Sequence, residues 1–506
     1  MSRNLASLLE VDAMMFPDSP GIIFEGKKIT YGELNAKAGQ IADGLRKAGV
    51  SKGDRVAIHL PNCPEFIFAY FGILKAGATV VPVNVMLKQR EIEFLLSDSG
   101  SKIMFTFSEF LPEAKPATEK IEGFREIFVV GHRAGGEGIA FEKFFDGSNL
   151  SINAVDVHPD KDLAVIFYTS GTTGRPKGAM LSHGNMVSNA FATAEMYKYS
   201  HKDSIISAMP LFHAAGQTNV VTAAFSQGAA VVLLPRFSPE KVFDALTGER
   251  ATVFIGVPTM YFQILSHPQA DRFADNNLRL CLVGAASMPE KILTDFGDKF
   301  KVVISEGYGL SEAAPVVSHN PIDGVKKPLS IGIPIPGVEM SIFDEDDHEL
   351  PLCQVGELVI RGPNVMKGYL NHPEATEEAL RNGWLHTGDM AYRDEDGYFF
   401  IVDRKKEMIL TGGFNIYPRE IEEVLFAHPC IAEAAVVGIP DLEKGEKAKA
   451  FVVLKEGRSA SSEEIMDFCR ARLAAYKAPR EVEFIARLPR NAAGKVLKRV
   501  LRGEEE

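Results

Sequence analysis

The sequence predicts an α/β fold in two parts: a large N-terminal region of layered α/β units passing into a β-rich stretch, and a compact α+β segment of about 100 residues at the end. Three observations predict it. Strand-like apolar runs alternate with helical patterns from Arg55 to Ser305, as in a parallel sheet with helices on its faces. From Ile331 the texture changes to β segments punctuated by Pro and Gly, such as residues 357–361, which read as a distorted barrel or antiparallel sheet. The length of 506 residues exceeds the roughly 250–300 at which a single core stops growing, so more than one domain is expected.

At 46% hydrophobic and 24% charged, without internal repeats or biased segments, the chain has the composition of a globular protein. Its net charge of −12 argues against general nucleic-acid binding. That charge is uneven. From Arg404 onward nineteen Lys and Arg face seventeen Asp and Glu, whereas the preceding part is strongly acidic. The basic end suits an anionic ligand, although solvated surface charge is the simpler cause. Cys63, Cys281, Cys353, Cys430 and Cys469 are odd in number, far apart and never spaced Cys-x-x-Cys, so neither a zinc site nor a disulfide framework is expected. A reducing compartment fits. Residues 1–9 carry no basic leader, and no run approaches the roughly 20 apolar residues of a membrane span, so a soluble, cytoplasmic protein is expected.

Taken in order, Thr30-x-x-Glu33 reads as a capping box before Leu34, Ala38, Ile41 and Leu45, with Gly49 where that helix stops. Strands are expected at residues 55–60 and 79–82 around a helix over 64–75, with further units between Met104 and Val130. An apolar run at 163–168 enters a polar loop, and residues 183–197 read as the next helix. Strands at 204–209, 230–234, 252–257, 279–283 and 301–305 follow. Three of them end at the segments Pro210 to Gly216, Gly284 to Ser287 and Glu306 to Glu312, and the carboxyl ends of open α/β sheets are where ligands sit. The last segment has a helix over 465–475, opened by Ser461-x-x-Glu464 and burying Ile465, Phe468, Cys469 and Leu473.

The loop over residues 168–180 is the densest chemical signal: Tyr168-Thr169-Ser170-Gly171-Thr172-Thr173-Gly174-Arg175-Pro176-Lys177-Gly178-Ala179-Met180. Hydroxyls, glycines and two cations crowd backbone and side-chain donors onto one loop, which suits a phosphate. It is not a Walker loop, because Pro176 and Gly178 flank Lys177 where that pattern needs Gly and Ser or Thr. A polar surface turn is the bland alternative, and the density of small donors disfavours it.

Together with Gly307-Tyr308-Gly309-Leu310-Ser311-Glu312, Thr387-Gly388-Asp389, Asp403-Arg404-Lys405-Lys406 and Gly494-Lys495, in this order over nearly the whole chain, the loop resembles the adenylate-forming superfamily of acyl-CoA synthetases, firefly luciferases and peptide-synthetase adenylation domains. The resemblance implies a two-step reaction: a carboxylate and MgATP give acyl-AMP and pyrophosphate, then a thiol takes the acyl group. It implies a large domain over 1–402, including a distorted β-barrel, a hinge at 403–406 centred on Lys406, and a small mobile lid over 407–506.

Its site residues carry over position by position. Thr169, Ser170, Gly171, Thr172, Thr173, Gly174 and Lys177 would hold the β- and γ-phosphates. Glu312 would ligate Mg²⁺, a hard cation that takes one or two carboxylates and phosphate oxygens. Ser311 would donate to the α-phosphate. Tyr308, within Glu306-Gly307-Tyr308-Gly309, would stack on adenine against Gly284, Ala285 and Ala286. Asp389 would accept from both ribose hydroxyls, with Arg404 on the same sugar. Lys495 would bridge the substrate carboxylate and α-phosphate, as the principal catalytic residue beside Glu312, Thr169 and Lys177. Gly412, Gly413 and Phe414 would border the entry of CoA.

The acyl pocket would be lined by His213, Ala214, Ala215, Val257, Pro258, Gly284, Ala313 and Val316, a set that is small and uncharged. A medium- or long-chain fatty acid is the first expectation and an aryl or alicyclic acid the second. Amino-acid-activating relatives carry an Asp where His213 stands, so amino acids are not expected. Competing readings are a ligase loading a carrier protein, a luciferase-like oxygenase, and a nucleotide sensor without catalysis; a homodimer is allowed. Asp203-Ser204-Ile205 mimics a carrier's attachment site, but it precedes a strand and reads as structural.

Overall fold

The computed structural model describes residues 4–131, 136–145, 154–169, 176–274, 276–284, 288–411, 414–441, 445–474, 476–490 and 496–503. Its strands form four sheets. A nine-stranded sheet holds the parallel neighbours Ala230–Leu233, Ser204–Ser207, Val253–Gly256, Leu280–Val283 and Ile304–Gly309. A seven-stranded sheet holds Ser101–Phe107, Arg55–His59, Thr79–Pro82 and Leu163–Thr169, all parallel, and ends at Lys177–Ser182. Glu339–Phe343, Gly356–Arg361, Leu385–Arg393 and Phe399–Arg404 make a four-stranded antiparallel sheet, which is the β-rich stretch expected after Ile331. The five-stranded fourth sheet lies wholly beyond Glu407.

Local signals explain the helices. Thr30 and Glu33 close the expected capping box on Tyr31–Lys47, whose face Leu34, Ala38, Ile41 and Leu45 is fully buried. The helix Pro64–Lys75, apolar but for Glu65 and Lys75, lies in the main core, packed against Tyr31–Lys47. The C-terminal region has a core of its own, from Ile409 through Ile421, Val436 and Val452 to Cys469. Its helix Ser462–Arg470 keeps the Ser461 capping box but is shorter than expected. After Arg470 the chain turns to lay Glu481–Phe484 parallel to Gly445–Leu454, which leaves Leu473 outside the helix and, like Phe468, only half-buried.

Two boundaries differ more sharply from expectation. Lys301 caps the helix Glu290–Phe300 in a left-handed conformation, φ 55°, so no strand begins there. The strand runs instead over Ile304–Gly309 and pairs antiparallel with Val316–His319, taking up the Gly-rich residues that read as loop. Likewise Lys177–Ser182 is a strand, paired antiparallel with Leu163–Thr169; the helix His183–Met196 begins only after it. Asp203, in the sequence that mimics a carrier site, forms a two-point ion pair with Arg279 at 2.7 and 3.0 Å and is structural. Among the described residues no cysteine is bonded to another, and no helix is long and apolar enough to cross a membrane.

Side-chain amides position the turn after Ile304–Gly309. Asn189 both accepts from Val316 N at 3.1 Å and donates to Val316 O at 2.6 Å, and Asn364 donates to Ala313 O and Val316 O. Asn189→Leu strands the Val316 N–H in the core and leaves Val316 O to Asn364 alone. It should cost about 1–3 kcal/mol, seen as a lower urea midpoint; an unchanged midpoint would contradict this account.

Candidate active site

Four neighbouring parallel strands bring their carboxyl ends to one edge of the nine-stranded sheet. Their register pairs Ser207 with Ile255, Gly256 with Val283, and Val283 with Glu306. Residues 208–216, 257–258, 284 and 306–312 therefore leave that edge side by side, which groups His213, Ala214, Ala215, Val257, Pro258 and Gly284. The seven-stranded sheet reaches the same place through Thr169, whose Oγ1 donates to Glu312 Oε1 at 3.2 Å. The antiparallel sheet reaches it through Asp389, whose Oδ2 accepts from the Tyr308 hydroxyl at 2.5 Å. Three sheets thus meet at Ile304–Gly309 and the turn that follows.

Asp389 is 4% exposed and needs compensation for its buried charge. Beyond Tyr308 it receives Arg404 Nε on Oδ1 at 2.9 Å, and the two residues are Cα partners across adjacent strands. Its backbone N donates to Thr387 Oγ1 at 3.1 Å, and that hydroxyl donates to Leu358 O at 2.7 Å. Burial opposes the Arg404 charge, but Asp389, then Tyr308, Glu407 and Glu312, hold the guanidinium above its ordinary range. Burial, then the Asp389 charge, pushes the Tyr308 phenol far up, so it stays a proton donor. Each carboxylate oxygen retains a lone pair for a further donor.

Glu312 is half-buried, and its Oε1 also accepts from the Tyr369 hydroxyl at 3.0 Å. Its Oε2 makes no hydrogen bond among the described residues. A carboxylate with one oxygen pinned and one free, beside the Thr169 hydroxyl, is a donor set that fits a hard oxygen-seeking cation. Lys177 Nζ stands 5.3 Å over the Tyr369 ring, within cation–π range.

The apolar side of the site is built by residues that no sequence motif pointed to. Asn62 donates to Met209 O and Leu234 O and accepts from Leu211 N at 2.8 Å, while Gln217 Nε2 donates to Leu211 O at 2.8 Å. These bonds fix the backbone before His213, whose imidazole burial keeps neutral by lowering its pKa. Gly216–Thr222 is a π-helical turn, a distortion that recurs at functional sites. A Cβ on Gly216 would collide with Pro210 O, and Thr218 Oγ1 donates to Ala314 O at 2.9 Å, tying this turn to buried Ala313 and Val316. Such contacts join positions far apart in the chain, so local patterning carried no sign of them. Ser170, Gly171, Thr172, Thr173, Gly174, Ala285, Ala286, Gly412, Gly413 and Lys495 lie outside the described residues, and Phe414 is described only in its backbone.

Glu306 is a buried carboxyl pushed up to about 7, by burial above all and against the Leu329 N–H at 3.1 Å, with Arg419 opposing the shift and Glu423 adding to it. Because its folded pKa lies above its ordinary value, folding favours the protonated acid. Its stabilising contribution is complete below about pH 4.5 and lost as pH rises through about 7. Glu306→Gln should therefore gain stability relative to the parent across that window, measured as the difference in Tm at each pH; a constant difference would refute the assignment.

Comparison with known proteins agrees with this geometry. The family described as AMP-binding enzyme matches residues 9–370, and the AMP-binding enzyme C-terminal domain matches 420–495. The long-chain-fatty-acid–CoA ligase of Bacillus subtilis (strain 168) is 39% identical over all of this chain and 95% of its own. A feruloyl-CoA synthase from an Amycolatopsis species is 38% identical over 96% of each. ATP-bound MatB from Rhodopseudomonas palustris, 34% identical over 99% of both chains, superimposes with a TM-score of 0.91, against 0.82 for apo MatB. Two matched regions covering most of the sequence, relatives of matching length, and a shared architecture place it: this chain belongs to the AMP-binding enzyme family, within the adenylate-forming superfamily.

Proposed function

We propose that this chain is an AMP-forming acyl-CoA synthetase acting on a hydrophobic carboxylic acid, with a medium- or long-chain fatty acid favoured. ATP, Mg²⁺ and CoA are its cofactors. The observation that carries the reading is the convergence of Thr169 and Glu312 with Tyr308, Asp389 and Arg404 from three separate sheets. In the first step the acid's carboxylate oxygen attacks the α-phosphorus of ATP and pyrophosphate leaves. In the second the CoA sulfur attacks the acyl carbon, its proton is lost, and AMP leaves. Anionic charge develops on attacking and leaving groups alike, so oriented donors and cations are what the protein must supply. Asp389 receives the ribose hydroxyls, Tyr308 lies beside them, and Arg404 holds Asp389 in place. Thr169, the hydroxyls and glycines up to Gly174, and Lys177 receive the leaving phosphates. Glu312 would hold the magnesium ion, which neutralises phosphate charge when bound.

Support for an apolar acid comes from the lining around Ala214, Val257, Ala313 and Val316, together with a neutral His213. The long-chain relative agrees with it. An aryl acid is the second reading, favoured by the feruloyl-CoA synthase at nearly equal identity. Lys495 supplies the positive charge between the acid and the α-phosphate, Lys406 is the hinge of residues 403–406, and residues 412–414 border the CoA path. The domains divide as 1–402 and 407–506, and the protein acts in the cytoplasm.

Purified protein given ATP, Mg²⁺ and CoA should release AMP only when an acid is added. Across acetate, benzoate, cyclohexanecarboxylate and long fatty acids, turnover should rise with aliphatic length. No AMP with any acid would sink the enzyme reading, and AMP release indifferent to CoA but dependent on a carrier protein would favour carrier loading. Lys495→Ala should slow acyl-AMP formation by about 100- to 1,000-fold, yet leave thioester formation from preformed acyl-AMP near the parent rate. Equal loss of both half-reactions would remove Lys495 from the first step.

A further inference from the structure

Tyr369 belongs to none of the sequence motifs, yet it stands at the junction of the phosphate hairpin and Glu312. Its position follows from backbone pairing. Residues 367–370 run antiparallel along the free edge of Lys177–Ser182, through Lys367 N to Met180 O, Met180 N to Gly368 O and Leu370 N to Gly178 O at 2.8–2.9 Å. Tyr369 thereby faces Ala179 across the bridge, and on the other side Lys177 faces Thr169. Directly opposed residues share a face, as do residues two apart in one strand. Thr169, Lys177 and Tyr369 accordingly emerge on one face of a three-stranded ribbon, and Glu312 lies over that face.

The segment holds Glu312 by its backbone as well, since Met366 N donates to Glu312 O at 2.8 Å. The Tyr369 and Thr169 hydroxyls each have one proton to give, and both give it to Oε1, at 3.0 and 3.2 Å. Two donors on one oxygen fix the plane of the carboxylate and point Oε2 away from both. The Glu312 charge and burial keep the Tyr369 phenol protonated, burial contributing most. The same ring offers its face to Lys177, so one side chain sets the relative placement of the acid and the cation.

We propose that Tyr369 is a positioning residue for the metal-binding carboxylate: its hydroxyl pins Oε1 of Glu312 and so presents Oε2 to the cation that accompanies ATP. This rests on the placement of magnesium at Glu312 given under Proposed function. Tyr369→Phe in the full chain keeps the ring and removes the hydroxyl. Calorimetric titration with ATP in excess Mg²⁺ should show a Kd raised about five- to tenfold, the scale of one typical intramolecular hydrogen bond. The same titration in EDTA should show a Kd within about twofold of the parent. Titration of the parent and variant with Mn²⁺ and ATP, followed by electron paramagnetic resonance, should show the same metal-specific loss.

An unchanged Kd in Mg²⁺ overturns the proposal. Equal weakening with and without metal overturns it too, by assigning Tyr369 to ring packing alone. Glu312→Gln separates this from the underlying reading. If it leaves the metal dependence of ATP binding intact, the cation is not at Glu312, and the placement itself fails. If it abolishes that dependence while Tyr369→Phe is silent, only the positioning role fails.

Discussion

Two carboxylates brought to one strand and its following turn are the constraint on which this site depends. Glu312 and Asp389 carry charges of the same sign, so each must be held in place by donors. Asp389 is held by Tyr308 and Arg404, Glu312 by Thr169 and Tyr369. Tyr308 and Glu312 lie four positions apart on Ile304–Gly309 and its following turn, so one strand sets the distance between the two acids. Its antiparallel partner Val316–His319, braced by Asn189 and Asn364, keeps that turn from shifting. A polar network is expensive to bury, and a fully partnered one is rigid in return.

The large features were legible because they rest on local chemistry. Capping boxes at Thr30 and Ser461, the apolar helix Pro64–Lys75, and the alternation of strands and helices are written in residues a few positions apart. The strand Ile304–Gly309 was misread for a physical reason: Gly307 and Gly309 carry no side chain to show alternation, and they pair only because Val316–His319 folds back on them. A Cβ on Gly307 would strike the His319 ring, so the glycines mark a close approach, not a flexible loop. The pairing of Lys177–Ser182 with Leu163–Thr169 was obscured in the same way, since Gly178 and Ala179 look like loop until Phe167 and Tyr168 pair with them.

The site was legible in its charged members and silent in its supports. Glu312, Asp389 and Arg404 stand in short motifs that chemistry can interpret residue by residue. Asn62, Asn189, Gln217 and Tyr369 act across 6 to 172 positions of sequence, and nothing beside them in the chain announces it. Tyr369 shows why: its role comes from the register of residues 367–370 on a sheet edge, and a one-residue slip would turn it to the opposite face.

The small C-terminal region is tied together by a half-buried cation. Lys498 Nζ lies 2.8 Å from Glu422 Oε1 and 3.6 Å from Glu407 Oε2. Burial opposes its charge, yet Glu422, Asp403 and Glu407 raise its pKa, so the ammonium persists. Asp403 in turn accepts Arg404 N on one oxygen and Arg419 N on the other, capping the helix Pro418–Phe426. The end of the chain, the residues after Phe399–Arg404 and that helix are thus bound by charges that would be costly to separate in a low-dielectric setting.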